Sequence, residues 1–309
     1  MAPIITRAIA IKDGVIAFVR RYPFIDFLFE LADKTGRDYI GLIAAGMAFY
    51  FLLAAFPGIA ALISLYGLIA DPTAITGQFA YFERFLPADA YSILIGQAEK
   101  VASSHEGILS LGIIIGLLVA VFSASKGVRA LIQGLNIAYG ARERRNIFAL
   151  GMTGYVLTFV MMFYFLISLS LVAGVPLVVR LLFLDGLLDG ALMTLVTSAR
   201  WPLLFFVGML GLQILYYYGP CYKHPTWRWI TWGSFVATIL WLLSSVVFSY
   251  FVAHTASYSQ VYGSLGAVIV LMLWFWLSAL MIMFGAEING VLEARRVRRE
   301  AAAILKEPS

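Results

Sequence analysis

Polar side chains inside apolar runs are the first place to look for chemistry, because a bilayer makes them expensive to keep. Glu287 and Asn289 stand in such a run, in Phe284-Gly-Ala-Glu-Ile-Asn289, and Gln213 interrupts another; Ser123, Ser125 and Lys126 close a third. A carboxylate and an ammonium at one level can pair, so a Lys126 to Glu287 contact is a geometric expectation. Such a set would serve as a polar gate or substrate contact, and Glu287 is the one near-membrane carboxylate suited to proton coupling. The same residues would also serve as a helix cap or a register-fixing ion pair, since charges near helix ends extend to water.

Other positions carry weaker chemistry. Tyr258 and Tyr262, in the polar stretch with His254 and Gln260, suit recognition at an outer mouth, and equally an ordinary turn with interfacial tyrosines. Pro57 followed by Gly58 in an apolar run predicts a bent or broken helix. Tyr216, Tyr217 and Tyr218, followed by Lys223, Trp227, Arg228 and Trp229, read as an aromatic and basic belt. Gly112 and Gly116 form a GxxxG suited to packing within the chain.

Enzyme motifs do not emerge. His105, His224 and His254 are far apart and form no HxH, HExxH or HxxEH, and there is no GxxxxGK[ST] or GxSxG with partners for a triad. The single cysteine, Cys221, excludes an intramolecular disulfide and a CxxC pair, and reads as a packed thiol. No cofactor and no catalytic residues or metal ligands are therefore expected.

The elements that must position these residues are helices in a membrane. Of 309 residues, 62% are hydrophobic and 13% charged, and the mean hydropathy is +0.90; a soluble fold has nowhere to bury that much apolar surface. Six apolar stretches, 41–70, 107–125, 151–175, 201–219, 230–253 and 263–291, approach or exceed the roughly 20 residues a spanning helix needs. The stretch 175–196 is apolar but carries Arg180, Asp185 and Asp189, and reads as an extension of its neighbours or a re-entrant turn. With these six spans, 18 of the 22 Lys and Arg fall on the side of the two termini, which the positive-inside rule reads as cytoplasmic. The excess, a net charge of +5, thus follows topology rather than a nucleic-acid surface, and no nucleic-acid partner is expected.

Two stretches look amphipathic and interfacial. Phe24, Phe27, Leu28 and Leu31 share one helical face, with Asp26, Glu30, Asp33 and Arg37 elsewhere; Val128, Leu131, Ile132, Leu135 and Tyr139 form a second stripe. The N-terminal stretch, interrupted by Lys12, Asp13, Arg20 and Arg21, is a poor signal peptide and is expected to be retained. The expected fold is all-α: a polytopic membrane protein of about six transmembrane helices plus amphipathic interfacial helices. Residues 1–38 would form a cytoplasmic segment with an amphipathic helix, 39–292 the membrane domain, and 293–309 a basic cytoplasmic tail.

Three groups of stretches stand out: Gly41-Leu-Ile-Ala-Ala-Gly-Met-Ala-Phe-Tyr50 leading to Phe56-Pro57, Phe122-Ser-Ala-Ser125 with Gly127 and Leu135-Asn136, and Val261-Tyr-Gly-Ser-Leu-Gly-Ala267 with Trp274 and Phe284 to Asn289. Together they resemble the BrkB/YihY family of bacterial inner-membrane proteins. Their order and spacing together are distinctive, and they cover roughly Asp38 to Asn289. The resemblance implies about six spans in an inner membrane and, in some members, links to serum resistance and to envelope or lipid homeostasis. Members often carry the label ribonuclease BN, a tRNA-processing activity, whereas this chain lacks the histidine-rich motif of a metal-dependent tRNA hydrolase. The expected function is transport, or assistance to transport, of a lipid or other amphipathic envelope component. A membrane scaffold recruiting envelope-biogenesis proteins through its basic tail is the alternative, and a membrane-bound ribonuclease the third. Membrane lipids are the expected partners.

Overall fold

The computed structural model describes residues 22–67, 91–92, 95–96, 111–183, 190–222, 229–254 and 265–305. Seven long helices carry the described chain: α1 (Pro23–Arg37), α2 (Ile40–Gly67), α3 (Leu111–Ala138), α4 (Ile147–Phe183), α5 (Gly190–Tyr218), α6 (Trp232–His254) and α7 (Leu265–Ile304). No strand occurs among the described residues.

Local chemistry sets the helix ends at the basic end of the bundle. Pro23 opens α1, where a missing N–H costs nothing, with Asp26 in the first turn and Lys34 and Arg37 in the last, matching the helix dipole. α3 stops at Gly140, whose φ of 60° is the left-handed conformation of a C-terminal cap. There Ala141 N–H donates to the Asn136 carbonyl at 2.8 Å and Gly140 N–H to Ile137 at 2.9 Å. Asn146 caps α4 by accepting from Ala149 N–H at 2.7 Å.

The helices close a ring in which α2 packs on α3, α3 on α4, α4 on α5, α5 on α6, α6 on α7 and α7 back on α2, with α7 also reaching α3. The core holds Ala44, Met47, Leu131, Leu135, Leu215, Tyr216, Ala279 and Met283. Small residues bring backbones together where α7 crosses its neighbours. A Cβ on Gly233 would meet the Gly285 carbonyl oxygen at 2.1 Å, and one on Gly290 the Ala138 carbonyl oxygen at 2.3 Å. Crossing bonds reinforce the ring: the Tyr216 hydroxyl donates to the Ile282 carbonyl at 2.8 Å, and Trp276 Nε1 to the Gly41 carbonyl at 3.0 Å.

Outside, the bundle is oily. Phe159, Phe163, Phe206, Val246, Val247 and Phe251 are exposed, as lipid-facing surface requires. Four stretches, Ile147–Ser168, Trp201–Tyr218, Trp232–His254 and Leu265–Ile304, are long and apolar enough to cross a membrane, and α1 with Ile40–Ala55 makes a fifth if a pair bent by 56° is one span. Part of the expected 107–125 span lies outside the described residues, so the structure supports a multi-span helical membrane protein without fixing the number six.

Two local expectations change. From Leu111 to Ala138, the described part of the 107–125 stretch and the amphipathic stripe after it are one helix, α3. Leu131, Ile132 and Leu135 of that stripe are buried, so its amphipathicity reflects packing against the ring rather than an interface. Lys126 and Arg129 therefore leave the loop census, and the 18 basic residues on the side of the termini become 16. Next, α2 is not broken at Pro57 and Gly58 but continues as a helix through them; a bend of 56° lies at the α1–α2 junction, where Tyr39 adopts a φ of 48°. In the described parts of the 175–196 stretch, the expected extension of the neighbouring helices is found, α4 running to Phe183 and α5 starting at Gly190.

Candidate functional site

Glu287 is fully buried on α7, and its partner is Lys34 of α1. Lys34 Nζ donates to Glu287 Oε2 at 2.6 Å, to Asp38 Oδ2 at 2.5 Å and to the carbonyl of Ala138, the last residue of α3, at 2.8 Å. One ammonium thus uses three donors, to acceptors on the turn after α1, the end of α3 and α7. Glu287 Oε1 has no hydrogen-bond partner among the described residues.

α1 is positioned for this by its own amphipathic face. Leu31 packs on Ile288 and Val291 of α7, with Phe27 beside them, while Phe24 and Leu28 of the same stripe stay exposed. Farther along α7, Arg295 donates to Asp26 and Glu30, both at 2.6 Å, and Arg298 also reaches Glu30. Burial pushes the Glu30 carboxyl up, but the bonds from Arg298 and Arg295 outweigh it and hold the group below its ordinary range. The expected Lys126 to Glu287 pair does not form. Lys126 is exposed and lies over the Phe122 ring, 4.9 Å from its centroid. It sits twelve residues before the end of α3, about 18 Å along the axis, whereas Glu287 lies level with that end.

Gln213 and Asn289 do meet, through Thr231. Thr231 Oγ1 donates to Gln213 Oε1 at 2.8 Å and accepts from Asn289 Nδ2 at 3.0 Å, while Asn289 Oδ1 accepts from Gly233 N–H at 3.0 Å. Ser234 N–H donates to Thr231 Oγ1 at 3.3 Å. The network therefore satisfies the otherwise orphaned N–H groups at the start of α6. It also borders a cavity of about 720 Å³ between α5, α6 and α7, lined by Tyr139, Gln213, Tyr222, Trp232, Asn289 and Arg296 among others. On the other side of α5, a cleft of about 870 Å³ has walls of Phe148, Met152, Val156 and Ile214, with Arg145 at its basic end.

The loop after α3 is clasped. Arg145 donates to Glu143 through Nε at 2.8 Å and Nη2 at 2.7 Å, and to the Gly219 carbonyl at 3.0 Å. Asn136 Nδ2 donates to Glu143 at 2.8 Å, and its Oδ1 accepts from Cys221 N–H at 2.6 Å. The Arg145 bonds hold the Glu143 carboxyl down to about 2.

Ser125 is buried; its hydroxyl donates to the Phe122 carbonyl at 2.7 Å and accepts from Arg129 Nη2 at 3.2 Å. Ser123 is half-buried on the same helix. The six polar candidates therefore fall into three places rather than one gate: Glu287 with Lys34, Gln213 with Asn289, and the α3 group. Tyr258 and Tyr262 lie outside the described residues. Tyr216, read as belt, is buried in the core, while Tyr218 and Trp229 are exposed.

Sequence reasoning missed Lys34, Thr231 and Arg129. Lys34 had a readable signal, a lysine in the last turn beside the docking face of an amphipathic helix. Thr231 had the N-cap pattern of a threonine before an apolar run. Among the described residues no group of three or more His, Cys, Asp or Glu is placed to hold a metal.

Comparison with known proteins places this arrangement. The family described as virulence factor BrkB matches residues 31–308. A ribonuclease-like protein of Bacillus subtilis, YfkH, is 32% identical over 254 residues, covering 82% of this chain and 90% of the relative. UPF0761 membrane proteins of Tolumonas auensis and Cronobacter sakazakii are 25% and 23% identical, over 86% and 92% of this chain and 85% and 94% of theirs. No solved structure matches.

Proposed function

Because this chain belongs to the BrkB family, whose relatives here are named as membrane proteins, we propose that it moves, or helps to move, a lipid or other amphipathic envelope component across the inner membrane, with both termini cytoplasmic. The observation that carries the reading is the cavity of about 720 Å³ cut into the basic end of the bundle, whose mixed lining includes amides, phenols and an indole. Its lining can hydrogen-bond a headgroup, and the apolar cleft across α5 has the chemistry of acyl chains. The charge asymmetry supports the orientation: α1, the loop after α3 and the basic part of α7 gather at one end through Lys34, Arg145 and Arg295. No nucleotide motif occurs in the sequence, so movement is passive, ion-coupled or partner-driven, with Glu287 as the coupling carboxylate.

Vesicles carrying a fluorescent phospholipid test this. The purified chain should speed exchange between leaflets, read by quenching with an impermeant reductant, and Leu292→Trp, which fills the cavity from α7, should slow it. Equal rates with and without protein, across phospholipid and lipid-linked sugar probes, would remove the transport reading. Glu287→Gln with unchanged transport and unchanged pH dependence would remove the coupling role.

One observation favours a scaffold instead. α7 continues past the clamp to Ile304 with Arg299 and Glu300 exposed, a surface for an envelope-biogenesis partner; crosslinking that depends on this segment, without substrate movement, would favour it. The ribonuclease-like name of the Bacillus relative brings RNA processing into view. This chain offers no histidine-rich motif for such a hydrolase, and we infer a non-enzymatic role.

A further inference from the structure

We propose that Arg129, with Lys126 one turn away, binds the anionic headgroup of a lipid in passage through the bundle. Both residues are cations without a carboxylate partner among the described residues. Arg129 has one hydrogen bond, from Nη2 to Ser125 Oγ at 3.2 Å, and its guanidinium stacks over the Tyr155 ring at 5.3 Å from the centroid. Its Nε is buried with no hydrogen-bond partner. Lys126 Nζ lies over the face of Phe122, 4.9 Å from the ring centroid.

Depth gives this pair its meaning. Arg129 lies nine residues before the end of α3, about 14 Å along the axis, and packs beside Gly154 and Tyr155 within the span Ile147–Ser168. A cation near a membrane surface normally extends towards that surface. These two point the other way: Arg129 reaches Ser125 and Lys126 reaches Phe122, each four residues deeper into the helix. The charges are therefore directed towards the middle of the bilayer, away from the headgroups at the exposed Tyr218, Trp229 and Trp232.

The position is also built. A Cβ on Gly154 would meet Arg129 Cγ at 2.9 Å and Nε at 3.3 Å, so glycine there lets the arginine stem lie flat against α4. An unpaired guanidinium at this depth is costly, and a phosphate or carboxylate offering two acceptors offsets the cost. Exposed Leu118, Val119 and Phe122 continue the apolar surface beside it, which favours an anion attached to acyl chains over a free one. The inference rests on the transport reading and names its substrate class as anionic amphiphiles.

Binding and movement are tested separately. The full chain is placed in phosphatidylcholine vesicles containing a phosphatidylglycerol with a photoactivatable group near its headgroup, irradiated, and mapped by mass spectrometry. Labels are expected in peptides spanning 118–130 and 152–159. They should fall about tenfold in Arg129→Met, the loss of one charge-assisted bond, and largely persist in Arg129→Lys. Arg129→Met should melt no lower than the parent, since no ion pair is broken; if it fails to fold, Lys126→Gln, on the exposed face, carries the same arm with a smaller loss. Equal labelling of Arg129→Met, no label at these peptides, or erasure of the label by excess inorganic phosphate overturns the site. Intact labelling without lipid movement overturns the transport reading and leaves the site standing.

Discussion

Lys34 and Glu287 meet at 2.6 Å although they stand 253 positions apart in the chain. The contact joins the first described helix to the last, and the same ammonium closes the end of α3 through the Ala138 carbonyl. A fully buried carboxylate with one cationic partner makes the two residues unequal in what their loss does.

Lys34→Met should be the more damaging change. It leaves Glu287 buried and facing Asp38, and breaking a buried pair from one side costs about 3–5 kcal/mol. Glu287→Gln leaves Lys34 paired with Asp38 at 2.5 Å and should cost about 1.5–3 kcal/mol, the scale of a charged hydrogen bond. Unfolding in detergent should rank them in that order, and the double variant Lys34→Met with Glu287→Met should recover part of the loss.

The outer clamp should behave differently. Arg295 with Glu30 is only partly shielded from water, so a double-mutant cycle should give a coupling of about 1 kcal/mol or less, weakening as salt is added. Arg295→Ala should speed hydrogen exchange in α1 while leaving α3 and α6 protected. Loss of protection throughout the bundle would show the clamp to be part of the core instead.

Gly233 and Gly290 should resist even a methyl group. In each case the added Cβ would strike backbone oxygen, at 2.1 and 2.3 Å, and helices must separate to admit it. Gly151→Ala is the control: its Cβ meets nothing within 4 Å, and helix propensity predicts a gain of up to about 1 kcal/mol. Melting temperatures should fall for the first two and hold or rise for the third.

Acid should undo the α3–α5 clasp. Glu143 is held down to about 2, against 4.5 for the free group, chiefly by its bond from Arg145. A lowered carboxyl contributes stability that is complete above the unfolded value and disappears as pH falls through the folded one. Glu143→Gln should therefore be less stable than the parent at neutral pH, with the gap closing between about 4.5 and 2. A gap that stays constant over this window would remove the linkage.

The membrane class, most helix positions and the grouping of basic elements at one end were legible because hydropathy and charge act locally along the chain. The course of α3 was not. Lys126 and Arg129 made the stripe after them read as interfacial, when Leu131 and Leu135 were turning towards the core. The partner of Glu287 was illegible for another reason: the contacts of Lys34 come from the turn after α1, the end of α3 and α7, and only the closed ring brings them together. Gln213 and Asn289 were found as polar residues in apolar runs, but their meeting depends on Thr231, which stands at the start of a third run, 230–253.

The Lys34 contact also orders the birth of the protein. A ribosome adding about 5–20 residues per second needs on the order of 10–50 s to travel the 253 residues from Lys34 to Glu287. Through that interval α1 has emerged without the acid it is shaped to hold, and its lysine has only Asp38 and, once α3 is made, the Ala138 carbonyl. The nascent chain can lock α1 only when α7 is made.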